Sequence, residues 1–381
     1  MRKHILITGG TGEVGSFAAL FMARMGIADR ITLAARHTGK LSTVRYNAQT
    51  SATMRGFDTL VDVVQMDITN VDETAEKLNA LKPDLIINCA TGMSLYPFFP
   101  SMHKRQKRMG IISGFAFTLP KDLLILYPLM KAVKSVSQEL VVVNLTAPDL
   151  AGPILYDMGL APQIGAGTLD STTQGIKLAV AKHLQVVPGR VTVRMVAHHA
   201  LRRFPAQEVP FILHLYLDGQ DITDQFSESE LYNFVNFATD VTGVEMQNGR
   251  VTNNASITAA SAVESAYWIL RNEGQVRHGS GVLGMPGSIP NRLYRDRIEP
   301  ELPDGVSFED AKRINLVGMH KDGLDHVNAG GISVFTEEEC YWLREGLGLD
   351  WTQCSPEDAS EKCEELRQAL IRMDLEEKTG G

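Results

Sequence analysis

Three glycines near the amino terminus stand at a spacing that suits phosphate chemistry. Thr8-Gly9-Gly10-Thr11-Gly12-Glu13-Val14-Gly15 follows an apolar, β-prone run at 4–8 and opens a helix-like run at 16–25. Strand, glycine loop and helix in that order form a dinucleotide-binding fingerprint. Gly9 permits the tight turn, Gly12 lets a pyrophosphate approach the backbone, and Gly15 lets helix and strand pack closely. The helix N-terminus then stabilises phosphate charge. Gly9, Thr11, Gly12, Glu13, Val14 and Gly15 are therefore expected to contact a cofactor. A second turn, Arg36-His37-Thr38-Gly39-Lys40, lacks the carboxylate that would accept hydrogen bonds from the adenine ribose. Arg36, with Lys40 beside it, suits a 2′-phosphate instead, so NADP(H) is expected ahead of NAD(H). Asp67 is placed against the adenine. Ala90, Thr91 and Gly92 are placed beside the nicotinamide ribose, with Asn144 at the next strand end.

Two patterns could supply acid/base chemistry. Tyr127-Pro128-Leu129-Met130-Lys131 spells YxxxK, the short-chain dehydrogenase signature. It precedes the fifth strand rather than following it, and it reads better as a helix packing on the sheet. The second pattern runs from Val141-Val142-Val143-Asn144-Leu145-Thr146-Ala147-Pro148-Asp149 through Ile164-Gly165-Ala166-Gly167-Thr168-Leu169-Asp170-Ser171 to Val196-Ala197-His198-His199. This order resembles the lactate/malate dehydrogenase superfamily. The stretches 28–33, 256–260 and 281–286 are also similar to that family, and the likeness spans most of residues 1–315. The TGGTGxVG loop itself resembles that of the extended short-chain dehydrogenases.

That resemblance implies hydride transfer between a nicotinamide and a carbonyl, hydroxyl or imine carbon, with an imidazole moving the proton because its pKa lies near neutrality. It also implies that Asp170 orients the imidazole, with His199 the better match for that ring and His198 next to it. Neighbours on a strand face opposite ways, so one of the pair faces the site. Three positions depart from the family. Thr173 stands where the substrate-clamping arginine is expected, Ala147 replaces an asparagine, and Ala200 replaces a glycine. Arg105 and Arg108, in the basic run 103–108, are candidates to bind an anionic substrate in place of that arginine, as are Arg202 and Arg203. Thr258 would line the pocket from a later helix. Phenylalanines at 98, 99, 115 and 117 suggest a partly apolar substrate.

The elements that must hold these residues alternate. Strand-like runs at 4–8, 30–35, 60–66, 84–89 and 139–144 are separated by helix-like ones, which implies parallel pairing with right-handed crossovers. The fold class is therefore α/β: a Rossmann parallel sheet over 1–150, an α+β lactate/malate dehydrogenase-like part over 151–335, and a helical extension over 336–381. Residues 92–118 read as a long loop, a length that often carries function. Helices are expected at 171–184 and 257–271, and strands near 189–197, 210–218 and 278–292.

The chain has 381 residues, 44% of them hydrophobic, which suggests more than one core. Its formal net charge of −8 argues against general affinity for nucleic acid. No apolar run reaches the roughly 18 residues that span a bilayer. The four cysteines form no CxxC pair, so neither a zinc site nor a disulfide framework is indicated, and a reducing cytoplasmic setting fits. The absence of cysteine between 90 and 339 sets aside the metal-dependent family 4 glycosidases. The partner expected is a small-molecule substrate, with a homodimer as the assembly. Two other readings stay open: a dinucleotide-binding sensor without turnover, and a saccharopine-reductase-like or short-chain-like reductase.

Overall fold

The computed structural model describes residues 3–379 apart from 243–245, 248–249 and 252–253. The first half alternates as β1 His4–Thr8, α1 Glu13–Met25, β2 Arg30–Ala35, α2 Leu41–Met54, β3 Leu60–Gln65, α3 Val71–Leu81 and β4 Leu85–Asn88. It continues with α4 Phe99–Met109, α5 Leu119–Ser135, β5 Val141–Asn144, α6 Pro148–Tyr156 and β6 Ile164–Gly165. These six strands are mutually parallel in the order β3-β2-β1-β4-β5-β6. The chain reverses direction in that order between β1 and β4, and the crevice at such a switch point is where ligands of open α/β sheets bind.

One expectation is corrected here. Residues 92–118 are not one long loop, because α4 occupies their middle. Pro100 sits in its first turn, where a missing N–H costs nothing, and Gly110 ends it in the left-handed conformation at φ 68.

The second half contains α7 Thr168–His183, β7 Val191–Val196, β8 Ile212–Leu217, β9 Gln220–Asp221, α8 Glu228–Thr242, β10 Met246–Gln247, β11 Arg250–Val251 and α9 Ala255–Arg271. Then follow β12 Gln275–Ser280, β13 Ser288–Leu293, β14 Ile298–Pro300, α10 Phe308–Lys321, β15 Leu324–Asn328 and β16 Ile332–Phe335. The chain closes with α11 Glu337–Tyr341, β17 Gln353–Cys354 and α12 Ala359–Thr379. Strands β12 to β14 extend the parallel sheet beyond β6 with antiparallel pairing, giving nine strands in all. The strands β7-β8-β9 and β15-β16-β17 form two smaller antiparallel sheets.

Side-chain alternation divides the core between the two faces of the large sheet. Ile5, Ile7, Leu85, Ile87 and Val143 pack with Ala18, Ala19, Ala262 and Ala266 of α1 and α9. Leu6, Ile86 and Val142 face the other way, onto Leu123, Leu126 and Leu129 of α5. The stripe Leu366, Ala369, Leu370 and Met373, at helical spacing on α12, joins that second core. A further core lies between α7, α8, β7 and β8, around Ile176, Met195, Leu215 and Val235.

Candidate active site

The carboxyl ends of the central strands stand at one level. Register pairs Thr8 with Asn88, Asn88 with Asn144, Asn144 with Gly165, and Gly165 with Ser280. A buried chain of hydrogen bonds ties three of these ends together. Thr8 Oγ1 donates to Asn88 Oδ1 at 2.7 Å, and Asn88 Nδ2 donates to Asn144 Oδ1 at 2.9 Å. Asn144 Nδ2 donates to the Thr146 carbonyl at 2.7 Å, and Thr146 Oγ1 donates to the Ala90 carbonyl at 2.7 Å. Every partner in that chain is satisfied from within, so it fixes the loops that leave β4 and β5. Asn144 is thus a brace of the strand edge, and Ala90 is held at its rim.

Above this edge the glycine loop forms a cradle. Gly9 has φ 71, and a Cβ there would lie 2.7 Å from the Ala90 amide nitrogen. A Cβ on Gly15 would lie 2.4 Å from the Gly9 carbonyl oxygen. Gly12 caps α1 without any side-chain hydrogen bond, so the first-turn amides at Glu13, Val14 and Gly15 keep their donors for an anion. A backbone this close, open at a helix N-terminus, fits the diphosphate of a dinucleotide. Arg36 and Lys40 are exposed at the end of β2, and neither has an ion pair among the described residues. Asp67 turns inward on its own loop, its Oδ1 accepting from Thr69 N at 3.1 Å and Thr69 Oγ1 at 2.8 Å. Thr91 is exposed, and its hydroxyl donates to Asp122 Oδ1 at 3.1 Å.

The two histidines face different surroundings. His198 is fully buried. Its Nδ1 accepts from the Ala200 amide at 3.1 Å, and Gly318 of α10 presses against it so closely that a Cβ there would stand 2.2 Å from the His198 Cβ. Burial pushes its imidazole below the usual range. His199 begins a 3-10 turn, His199–Arg202, and keeps about a quarter of its side chain exposed, at 23%. Its Nδ1 lies 3.4 Å from Oδ2 of the buried Asp322, at the end of α10. The ring meets Phe115 edge-on at 5.0 Å.

The sequence paired His199 with Asp170, and the structure does not bring them together. Asp170 Oδ2 accepts from Arg277 Nη2 at 2.5 Å, with the carboxylate only 3% exposed. Burial pushes the Asp170 carboxyl up, opposed by the Arg277 charge. Nothing in the sequence near His199 points to Asp322, which arrives from far along the chain.

A row of rings connects His199 to the cradle. Phe115 meets Phe99 at 6.4 Å, and Phe99 meets Tyr96 at 5.6 Å, both edge-on. Tyr96 lies within electrostatic reach of Glu13, the first residue of α1, and of Arg202. The Arg203 guanidinium covers Phe115 at 4.8 Å and donates through Nη2 to the Ser113 carbonyl at 2.9 Å. Thr258 approaches from α9, its methyl 3.5 Å from where a Cβ on Gly167 would stand.

The basic run is spent elsewhere. Arg105 donates to Glu377 Oε1 at 2.8 Å and to Glu376 Oε2 at 2.6 Å. Arg108 donates to Glu377 through both terminal nitrogens, at 2.9 Å and 2.5 Å. Arg105 and Arg108 thus hold α12 against α4 rather than facing the crevice, because both pair with the buried Glu377. Tyr127 likewise points away, its hydroxyl donating to Glu357.

With this geometry established, the comparisons with known proteins fall into place. The KR domain family matches residues 4–95, which hold the glycine cradle and end at the row of rings. No curated protein sequence matches the chain. Solved structures do. The chain is similar to a lactate dehydrogenase from Cryptosporidium parvum at TM-score 0.59 and 17% identity, covering 84% of this chain and 98% of that one. A malate dehydrogenase from Picrophilus torridus gives TM-score 0.60 at 18% identity, covering 84% and 96%. A lactate dehydrogenase from Eimeria maxima gives 0.60 at 16%, covering 82% and 91%. The class defined by these matches is a Rossmann-sheet protein with an α+β second half. More particularly, the chain has the lactate/malate dehydrogenase fold, in a sequence far diverged from those enzymes. Among the described residues no helix is long and apolar enough to cross a membrane.

Proposed function

We propose that the protein is an oxidoreductase that binds a nicotinamide dinucleotide, NADP(H) in preference to NAD(H), and acts on a carbonyl, hydroxyl or imine carbon of a small, anionic, partly apolar molecule. The glycine cradle at the carboxyl end of β1 carries this reading, because it leaves helix amides free where a Cβ would close the space. The lactate dehydrogenases from Cryptosporidium parvum and Eimeria maxima, of the same fold, were solved with nicotinamide adenine dinucleotide and with NADH, which supports the nicotinamide part of this reading.

The bound dinucleotide would supply or take up the hydride. The diphosphate would rest on the amides of 13–15, with Gly9, Thr11 and Gly12 lining the approach. Arg36 and Lys40, exposed past the end of β2, would hold a 2′-phosphate by charge-assisted hydrogen bonds. Asp67 would lie toward the adenine, and Ala90, Thr91, Gly92 and Asn144 toward the nicotinamide side.

His199 would hold the proton that must reach, or leave, the heteroatom on the reacting carbon. Asp322 takes the orienting place foreseen for Asp170, since a carboxylate on one ring nitrogen fixes the tautomer and leaves the other for substrate. His198, sealed behind it, shapes the turn. Tyr96, Phe99 and Phe115 offer an apolar wall, while Arg202 and Thr258 would receive the substrate's polar groups.

Calorimetry with NADPH and NADH tests the first half of this reading, and NADPH oxidation with a panel of ketones, keto acids and imines tests the second. Binding with turnover that falls at least a hundredfold in His199→Ala is expected. No heat with either cofactor would overturn the reading. A second reading, a dinucleotide-binding sensor without turnover, is favoured by Thr173 and by the engagement of Asp170 with Arg277. It predicts binding with no NADPH oxidation and no difference for His199→Ala.

A further inference from the structure

Behind His199 lies a second buried carboxylate that the chemistry above does not use. Glu339, in the first turns of α11, is 1% exposed. Its Oε1 accepts from the Phe117 amide at 2.8 Å and its Oε2 from the Gly114 amide at 3.1 Å. The same short segment is held from the other side by Asp322. The Asp322 carbonyl accepts from the Phe115 and Ala116 amides at 3.0 Å each, and its Oδ1 lies 3.2 Å from the Phe115 amide. Gly323, the residue after Asp322, has φ 96, and a Cβ there would stand 2.6 Å from the Glu339 carboxyl carbon. Two residues from different elements thus take up four consecutive amides, three through their carboxylates and Ala116 through the Asp322 carbonyl, and the ring within that segment, Phe115, is the one His199 rests against.

We propose that Glu339 and Asp322 act as one unit behind His199, in which Glu339 is a positioning residue that fixes the 114–117 segment and the pair carries a single negative charge between them near neutral pH. The charge count follows from the surroundings. Both groups are buried, and the Arg203 guanidinium is the cation whose charge acts on both. Two carboxylates sharing one cation in a dry site do not both ionise readily. The other groups acting on Glu339 are the amides of 114 and 117, which favour its anion, and Cys340 lies beside it in the chain. Burial outweighs the amides and pushes the Glu339 carboxyl up to about 8, with Asp322 adding to the rise.

The consequence is a setting of the charge beside His199 by a residue that never touches substrate. The inference rests on His199 being the proton-transferring group for its catalytic meaning, but not for its test. The apo protein, labelled with carbon-13 at glutamate carboxyls and histidine rings, is titrated by NMR from pH 5 to pH 10. One glutamate carboxyl is expected to titrate above pH 7 in the unmodified protein, and that signal should vanish in Glu339→Gln. Above pH 7 the His199 ring shifts of the unmodified protein should move together with the Glu339 carboxyl signal, whereas those of Glu339→Gln should not, because only the unmodified protein adds a negative charge behind the ring there. The absence of any glutamate titrating above pH 6 in the unmodified protein would overturn the proposal whether or not the variant folds. His199 ring shifts that ignore the Glu339 titration in the unmodified protein would overturn it as well, leaving Glu339 as a brace alone. Neither measurement uses cofactor or substrate, so failure of the dehydrogenase reading is seen separately, as silent calorimetry.

Discussion

Asp170 and Arg277 close an ion pair between the first turn of α7 and β12, at 2.5 Å, with the carboxylate buried and the Arg277 side chain 19% exposed. Antiparallel register places Ser280 of β12 opposite Gly165 of β6, so Arg277 lies beyond the carboxyl edge, where α7 begins. The pair therefore joins the start of the second half of the chain to the edge of the large sheet. Removing one partner leaves the other without its counter-charge in a largely buried place, which costs up to about 3–5 kcal/mol. Asp170→Ala and Arg277→Met are each expected to lower unfolding stability in urea by that order, while Asp170→Leu combined with Arg277→Met costs less than either alone. A full loss of turnover in Asp170→Ala with unchanged stability would instead return Asp170 to the proton-transferring pair.

The cradle makes a contrast between glycines. Gly15→Ala places a methyl 2.4 Å from the Gly9 carbonyl, and the loop must shift to admit it. Gly39 has no atom within 4 Å of a new Cβ. NADPH affinity measured by calorimetry is expected to fall at least tenfold in Gly15→Ala, a loss of about 1.4 kcal/mol or more. Gly39→Ala should bind as the unmodified protein does. Equal affinities for the two variants would place the diphosphate elsewhere.

Cofactor choice rests on Arg36. Its charge-assisted bonds to a 2′-phosphate would be lost in Arg36→Ala, and Arg36→Glu would set a carboxylate where the NAD ribose hydroxyls need one. The ratio of NADPH to NADH dissociation constants should move by tenfold or more toward NADH in Arg36→Glu, with Lys40→Ala moving it less. A ratio that stays put in both variants refutes the assignment of this turn to the 2′-phosphate.

These expectations separate what local sequence encodes from what it does not. The shape of the glycine cradle was legible because it is set by backbone geometry over eight consecutive residues. The strands at 4–8 and 30–35 were legible because burial on both faces writes a continuous apolar run. Helix α4 went unread although its signals were present: Pro100 at the start and Gly110 at the stop bracket a run whose charges drew attention to chemistry instead. The partner of His199 was illegible for another reason. Asp322 lies 123 positions away, and Arg277 lies 107 positions from Asp170. Only the packing of α10 and β12 decides which carboxylate reaches which base, and no spacing rule carries that information. The basic run at 103–108 was likewise ambiguous, since its counter-charge sits near the end of the chain.

That counter-charge gives the last expectation its sign. The Glu377 carboxyl receives Arg105, Arg108 and Lys104, with Arg108 the largest influence, and is held down at about 2. A depressed carboxyl contributes stability that is fully present above its unfolded value, about 4.3. The contribution is then lost as pH falls through the folded value. Arg105 is mostly buried, whereas Arg108 and Lys104 are about half exposed, so solvent screening reduces what the cluster contributes. Glu377→Gln should therefore unfold in urea with about 1–3 kcal/mol less stability than the unmodified protein at pH 7. The gap should be unchanged at pH 6 and should close progressively between pH 4 and pH 2. Because α4 begins at Phe99, three residues past Tyr96, the same variant should also loosen the wall of the crevice, seen as faster amide exchange over 99–109. A gap that persists undiminished at pH 2 would show that Glu377 acts through packing and not through its charge.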